Sequence, residues 1–470
     1  MSPTTRREFL RRAAGGLGAL AFTGSRALPG LAEAIATAGR KKPNFVFFLV
    51  DDLGWRDVGC YGTKYYETPH IDRLASQGMR FTDAYAACPV CSPTRASILT
   101  GKYPARLHVT DWIPGDNHPN VKLRNPDWTK YLPLEEVTIA EALKPAGYAT
   151  ASIGKWHLGG EPYYPDKQGF DLNVGGTTRS NTPRYFSPYG IPTLADGPKG
   201  EYLTDRLTDE AEKFIEANRD RPFFLYLSHF AVHTPIQGKK DIAEKYAAKP
   251  PDGGQKNAAY AAMIESVDQS VGRVMKKLDA LRLADRTVIF FMSDNGGWAR
   301  VTSNAPLRAS KGWLYEGGVR EPMIVRAPGV TRPGSACAEP LISTDFYPTM
   351  LELAGLPLRH DQHVDGTSFV SLLKGEKMTR GPIYWHYPHY GNQGFAPAGA
   401  VRDGDWKLIE YFEDGRVELY NLRDDLGEQK DLAAAMPEKA RELQKMLADW
   451  RRSVGAQMPT PNPNYKPAKP

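Results

Sequence analysis

The chain has 470 residues, of which 41% are hydrophobic and 24% charged, and carries a formal net charge of +6. This is the balance of a soluble globular protein long enough for two structural units, and without an apolar run of about 18 residues it excludes a transmembrane helix. The four cysteines, Cys60, Cys88, Cys91 and Cys337, are too few for a disulfide scaffold.

Residues 1–36 read as an export leader. Thr5-Arg6-Arg7-Glu8-Phe9-Leu10-Arg11 is a twin-arginine pattern, and a weakly apolar Gly/Ala-rich run follows from Ala13 to Thr23. Ala32-Glu33-Ala34 or Ala34-Ile35-Ala36 supplies a small-residue cleavage site. The alternative reading is a disordered basic leader. The segment holds five Arg and two Glu, a net +3, so its removal halves the formal +6 to +3. So small a charge points to no nucleic-acid partner and is mildly helpful for an anionic substrate. The leader implies periplasmic or secreted protein, delivered folded by the twin-arginine export machinery.

Asn44 to Val50 (NFVFFLV) is a continuous apolar run, the pattern of a strand buried on both faces. Tyr148 to Ile153 is a weaker run, and Phe223 to Leu227 and Thr287 to Met292 are strong ones. Helix-period segments lie between them, one starting at Thr138 and another from Ala258 to Leu281, with Met263, Val267, Val271 and Val274 at helical spacing. Strands alternating with helices predict an α/β domain with a mainly parallel central sheet over 43–375. Beyond it, Ile383-Tyr384-Trp385, Gly399 to Arg402, Trp406 to Tyr411 and Val417 to Tyr420 read as short strands. A helix from Pro437 follows, with Leu443, Met446, Leu447 and Trp450 on one face. This pattern predicts a small α+β subdomain with an antiparallel sheet over 376–457, and the Pro-rich residues 458–470 form an extended tail.

Ligands of open α/β sheets bind beyond the carboxyl ends of the strands. The four apolar runs lead into Asp51-Asp52, Gly154-Lys155-Trp156-His157, Ser228-His229 with His233-Thr234-Pro235, and Asp294-Asn295-Gly296-Gly297. Singly, such residues are commonly turn residues, helix caps or solvated side chains. Together they place Asp51, Asp52, Asp294 and Asn295 as an all-oxygen donor set, which suits Ca²⁺ or Mg²⁺ and, as an irregular carboxylate-rich cage, favours Ca²⁺. Adjacent carboxylates repel each other without a cation.

The most specific segment is Cys91-Ser92-Pro93-Thr94-Arg95-Ala96-Ser97-Ile98-Leu99-Thr100-Gly101. Here the sequence resembles the formylglycine-dependent sulfatases of the arylsulfatase A-like type. Their signature is C-x-P-x-R followed by a helical stretch ending in L-T-G, and the one departure is Lys102, where Arg is common. The resemblance extends over the metal acids, G-K-W-H, H-T-P, D-N-G, Lys311-Gly312 with Glu316-Gly317-Gly318, and Tyr420-Asn421-Leu422. Cys88-Pro89-Val90-Cys91 is formally a C-x-x-C redox or zinc half-site, but no second one exists, and that role leaves Pro93, Arg95 and the acids unexplained. A buried structural cysteine is the other reading.

The resemblance implies an alkaline-phosphatase-like α/β sandwich and oxidation of Cys91 to formylglycine by a separate maturation enzyme. The hydrated aldehyde has two hydroxyls on one carbon. One attacks sulfur, and the other then loses its proton and expels sulfate, which a serine ester cannot do. Pro93 places residue 91 at a helix N-terminus, where amide donors favour anions. By correspondence with the family, Arg95 holds residue 91 and its neighbours, and one Ca²⁺ takes Asp51, Asp52, Asp294, Asn295 and residue 91. Lys155 and Lys311 meet the sulfate oxygens, His157 is the base for the second hydroxyl, and His233 is the acid for the leaving alcohol. Lys155, His233 and Lys311 thus also bind substrate. His229 is either a supporting or a structural residue, and Lys311 has a bland reading as a surface lysine. Trp112, Asp116, His118, His386 and His389 either line a sugar subsite or pack.

The expected function is hydrolysis of sulfate monoesters on carbohydrate or glycosaminoglycan fragments, the sugar resting on family analogy. Two rivals are a formylglycine-dependent phosphonate or phosphate ester hydrolase and a non-catalytic protein that binds sulfated glycans.

Overall fold

The computed structural model describes residues 42–467. The leader expected over 1–36 lies outside them. No helix among the described residues is long and apolar enough to cross a membrane.

In chain order the strands are β1 (Asn44–Val50), β2 (Met79–Tyr85), β3 (Leu123–Arg124), β4 (Ala149–Gly154), β5 (Leu172–Val174), β6 (Phe223–Ser228), β7 (Thr287–Ser293) and β8 (Arg320–Arg326). They continue as β9 (Ser335–Cys337), β10 (Leu341–Ile342), β11 (Ile383–Tyr387), β12 (Ala398–Asp403), β13 (Trp406–Tyr411), β14 (Val417–Asn421) and β15 (Thr460–Pro461). The main sheet runs β10-β2-β8-β7-β1-β6-β4-β5, with β9 also on β2. Its pairs are parallel except those made by β8, which runs against both β7 and β2.

Strand β1 is buried along its whole length because both faces of the sheet are covered. Val46, Phe48 and Val50 pack with Leu207, Ala211, Met263 and Val267 of the Leu203–Ala217 and Ala258–Ala280 helices. Phe45, Phe47 and Leu49 pack on the other side with Ala96, Ile98, Leu99, Ile139 and Phe346. This is the expected sandwich: a mostly parallel sheet between helical layers.

The second sheet, β11-β12-β13-β14, is antiparallel throughout. The Pro437–Ser453 helix covers it with Leu443, Leu447 and Trp450. Tyr85, Cys88, Val90, Leu314 and Tyr315 belong to the same apolar cluster, so the second sheet leans directly on segments that flank Cys91 and Lys311. Within the tail, β15 pairs with β3.

The four strands whose ends carry the candidate residues are consecutive neighbours, β7-β1-β6-β4. They run parallel, so the four ends open on one edge of the sheet.

Candidate active site

Cys91 is the first residue of the Cys91–Thr100 helix, and every residue of that helix is buried. The helix ends at Gly101, whose φ of 71° is left-handed. A Cβ there would come within 2.4 Å of the His363 Cβ, so only glycine closes the helix without moving its neighbour. Arg95 lies one turn along from Cys91 and is fully enclosed. Its Nε and Nη2 donate to Asp294 Oδ2 at 2.9 and 2.7 Å, and its Nη1 donates to the Lys155 carbonyl at 3.0 Å and to Ser228 Oγ. One guanidinium thus ties together the ends of β7, β4 and β6.

Asp51, Cys91 and Asp294 present an Sγ and two carboxylate oxygens within 4.8 Å of one another. Lys155 Nζ donates to Asp51 Oδ2 at 2.6 Å. Lys311 Nζ donates to Asp52 Oδ2 at 2.7 Å and lies 4.0 Å from Cys91 Sγ. Asn295 Nδ2 donates to Asp52 Oδ1 at 2.8 Å, and the Asp52 amide donates to Asp294 Oδ1 at 3.2 Å. His233 Nε2 is 3.6 Å from Asp52 Oδ2. Nine of the ten expected residues therefore form one contiguous cluster, and Lys311 is a buried member of it rather than a surface lysine.

His157 borders this cluster through its backbone. Ser92 Oγ donates to the His157 carbonyl at 2.8 Å and accepts from the Ile113 amide at 3.2 Å. His157 Nε2 is 2.6 Å from the Ile113 carbonyl. A carbonyl only accepts, so that nitrogen carries the proton and Nδ1 keeps a free lone pair. Nδ1 is shielded from water and has no protein partner among the described residues. Asp52 and His157 have φ of 63° and 60°, a backbone region costly to non-glycine residues and concentrated at functional sites.

Three carboxylates, Asp51, Asp52 and Asp294, face three cations, Lys155, Lys311 and Arg95. Burial and the neighbouring Asp294 push the Asp51 carboxyl up. Burial also acts to raise Asp52, but Lys311 and His233 overcome it and hold that carboxyl well below the usual range. Burial raises the Cys91 thiol to about 11. Burial, with Lys155, holds His157 far below the usual imidazole range. Burial, with Lys311, lowers His233 to about 3. Asp51 Oδ1 and Asn295 Oδ1 are buried without a donor among the described residues. Orphan oxygens of this kind in a carboxylate-rich pocket fit a hard divalent cation.

His229, four residues before His233, is outside the cluster: its Nε2 lies 3.0 Å from Ser270 Oγ in the Ala258–Ala280 helix. His386 lies 2.8 Å from the Gln457 carbonyl and His389 lies 2.8 Å from Thr110 Oγ1, both buried. Ser92, Ser228 and the Ile113 carbonyl were not expected from sequence. Ser92 occupies the variable position of the signature, and the other two offer no sequence signal beyond adjacency to a strand end or a loop.

The sulfatase family model matches residues 43–356. The chain belongs to the sulfatase family. A second model, for the C-terminal region of N-sulphoglucosamine sulphohydrolase, matches residues 309–453 of this sulfatase. It is 36% identical to a sulfatase of Formosa agariphila, over 84% of this chain and 85% of that one. It is 34% identical to human N-acetylgalactosamine-6-sulfatase, over 75% of this chain and 69% of the relative. Among solved structures it resembles Ps i-CgsB in complex with k-i-k-neocarrahexaose, with a TM-score of 0.76, 30% identity, and coverage of 90% and 95% of the two chains. This sulfatase is thus a sulfuric ester hydrolase with an alkaline-phosphatase-like α/β sandwich, and its family is in general metal- and formylglycine-dependent.

Proposed function

We propose that this sulfatase hydrolyses sulfate monoesters on carbohydrate, using formylglycine made from Cys91 and one calcium ion. The observation that carries the reading is the single buried cluster in which Cys91 Sγ lies among the Asp51 and Asp294 oxygens and 4.0 Å from Lys311 Nζ. The carbohydrate class is supported by relatives described as N-acetylgalactosamine-6-sulfatase and by the likeness to Ps i-CgsB with its bound k-i-k-neocarrahexaose.

Asp51, Asp52, Asp294 and Asn295 would hold the ion, with residue 91 beside it. The ion would supply Lewis-acid polarisation of the sulfuryl group, and the aldehyde hydrate would supply a nucleophile with a built-in route for release. Lys155 and Lys311 are fixed by Asp51 and Asp52, so their charges face the sulfate without reorganising during reaction. Arg95 acts one step back by fixing Asp294 and the β4 and β6 ends. His157 is neutral with a free Nδ1, which equips it as a base. His233 is neutral in the free protein. Its Nε2, 3.6 Å from Asp52, is placed to hand a proton to the leaving alcohol.

The same reading treats 1–36 as a leader for twin-arginine export to the periplasm or beyond. It divides the mature chain into a catalytic α/β unit to residue 375 and a C-terminal unit after it. Its maturation partner is a formylglycine-generating enzyme.

The test is tandem mass spectrometry of the tryptic peptide Phe81 to Arg95 from native-host protein, alongside turnover of phenyl sulfate and phenyl phosphate. An aldehyde or its hydrate at residue 91 with preferred sulfate turnover is the expected result. An unmodified thiol in active enzyme overturns the mechanism, and faster phosphate turnover overturns the substrate class.

A further inference from the structure

We propose that a polar pocket walled by the C-terminal tail is a second sugar subsite, which binds the saccharide unit next to the sulfated one. The proposal rests on the carbohydrate-sulfatase reading and extends its site.

The pocket has a volume of about 290 Å³ and is lined by Asp116, His118, Arg124, Asn125, Asn462 and Asn464, among others. That volume is near the low end for small-ligand pockets, roughly 300 Å³, so it suits one sugar ring rather than a longer chain. A carboxamide offers donors and an acceptor from one side chain, which matches neighbouring sugar hydroxyls. Asp116 Oδ2 and His118 Nε2 are shielded from water and have no protein partner among the described residues. Arg124 adds a guanidinium, steered toward Asn462 by an Nε to Oδ1 contact of 3.4 Å. It suits a sulfate or carboxylate on the neighbouring sugar.

The tail is built into this wall. Beyond the β15–β3 pairing, the Asn462 amide donates to the Lys122 carbonyl at 2.8 Å, and Asn462 Nδ2 donates to the Val121 carbonyl at 2.8 Å. Asn120 and Lys466 exchange two more hydrogen bonds, at 3.1 and 2.9 Å. Further back, Gln457 Nε2 donates to the Asp127 carbonyl at 2.7 Å. A Pro-rich tail with these bonds on 120–127 is part of the architecture of that loop.

Two loops join the pocket to the catalytic cluster from opposite sides. Ile113, whose carbonyl holds His157, is three residues from Asp116, a reach of at most about 10 Å. On the other side is the loop between β11 and β12. There the Tyr390 ring lies 6.1 Å from His118, and its hydroxyl accepts from the Leu123 amide at 3.2 Å. Three residues on, Gln393 accepts from Trp298 Nε1 at 3.0 Å and from Trp313 Nε1 at 3.1 Å. Its side chain also packs where a Cβ on Gly312, next to Lys311, would fall. The pocket is thus tied to His157 through the Ile113–Asp116 segment and to the Lys311 loop through Tyr390 and Gln393.

The experiment compares kcat/KM on a chondroitin 6-sulfate tetrasaccharide and an ι-carrageenan tetrasaccharide with that on 4-nitrophenyl sulfate. It uses full-length, host-matured enzyme, Arg124→Ala, Asn464→Ala, and a chain ending at Met458. The expected result is that the saccharide-to-aryl ratio, on whichever tetrasaccharide is turned over, falls at least about tenfold in the variants and mainly through KM, as for one or two lost polar contacts. An unchanged ratio in both point variants overturns the subsite, and so does an equal fall on both substrate classes, which marks a structural role. Calorimetric titration of Cys91→Ser protein with the same tetrasaccharides reads binding without turnover. There, equal affinity with and without Arg124→Ala also overturns it. A wild-type enzyme that cleaves the aryl sulfate but neither binds nor cleaves any sulfated saccharide overturns the carbohydrate reading, and the subsite with it.

Discussion

In the proposed mechanism, His157 and His233 divide two proton-transfer tasks by their surroundings. His157 has its proton pinned on Nε2 by a backbone carbonyl, so Nδ1 is left as a base, and no tautomer change is needed. His157→Asn should lower kcat by about 10²–10⁴-fold with little change in KM, because the side chain acts on a proton rather than on bound sulfate. Steady-state kinetics on 4-nitrophenyl sulfate check this, and a change confined to KM would remove the base assignment. The oxygen cage gives a second test. A ligand present at 100 times its dissociation constant stabilises the fold by about 2.7 kcal/mol. Chelated protein should therefore melt several degrees lower, recover fully on adding Ca²⁺, and lose that response in Asp294→Asn. Asp51, Asp52, Asp294 and Lys155 were legible as members of the cluster because each follows an apolar run. His229 and His233 were not separable by that signal: they follow the same strand four residues apart, and only the path of the chain sends one to Ser270 and the other to Asp52. The left-handed backbone at Asp52 and His157 was also invisible, since nothing in those residue types announces it.

Among the elements, β1, β6 and β7 were readable because apolar side chains fill both of their faces. Strands β2 and β8 were not expected. They carry Asp83, Arg320 and Glu321, and charges inside a strand mask its pattern unless their partners are known. Those partners come from elsewhere: Arg320 pairs with Asp83 across the β2–β8 ladder and with Glu316. The Cys91–Thr100 helix is buried all round and so has no polar stripe to reveal it. Its position came from Pro93 and the signature. The end of β4 gives the sharpest prediction at this scale. Gly154 has φ 106°, and a Cβ there would lie 1.8 Å from the Ser228 carbonyl oxygen. Gly154→Ala should destabilise the fold by at least about 3 kcal/mol, since both backbone strain and a backbone clash must be relieved. Denaturant unfolding measures it, and a near-neutral result would mean the β4 and β6 ends part easily.

Across the whole molecule, the two sheets are locked by charge as well as by apolar packing. Lys407 on β13 is fully buried and pairs with Glu316 at 2.8 Å and Glu428 at 3.0 Å. Arg402 on β12 reaches Asp83 at 2.8 Å and also the Tyr85 hydroxyl. Glu316 closes the loop that begins at Lys311, so this network anchors a catalytic segment from the far sheet. Lys407→Met would leave two buried carboxylates facing each other. The expected cost is about 3–5 kcal/mol, seen as a lower melting temperature and, at temperatures where the variant stays folded, as reduced turnover. A variant as stable as wild type would show that water or protonation of Glu428 replaces the lysine. The antiparallel sheet was legible from its short strands. Its charged seam with the main sheet was not, because the paired residues are up to 319 positions apart.

Cys91 is only 2% exposed in the finished fold. Another protein cannot grip a side chain so enclosed, so any enzyme that oxidises Cys91 must meet it before the chain has closed around it. The order of synthesis sets a minimum for the time available. The Cys91–Thr100 helix is enclosed against a sheet whose β7 strand ends at Ser293, about 200 residues downstream. At roughly 5–20 residues per second of synthesis, the ribosome takes about 10–40 s to supply that strand. On the formylglycine reading proposed above, the share of molecules competent for catalysis is then set by a race between oxidation and closure.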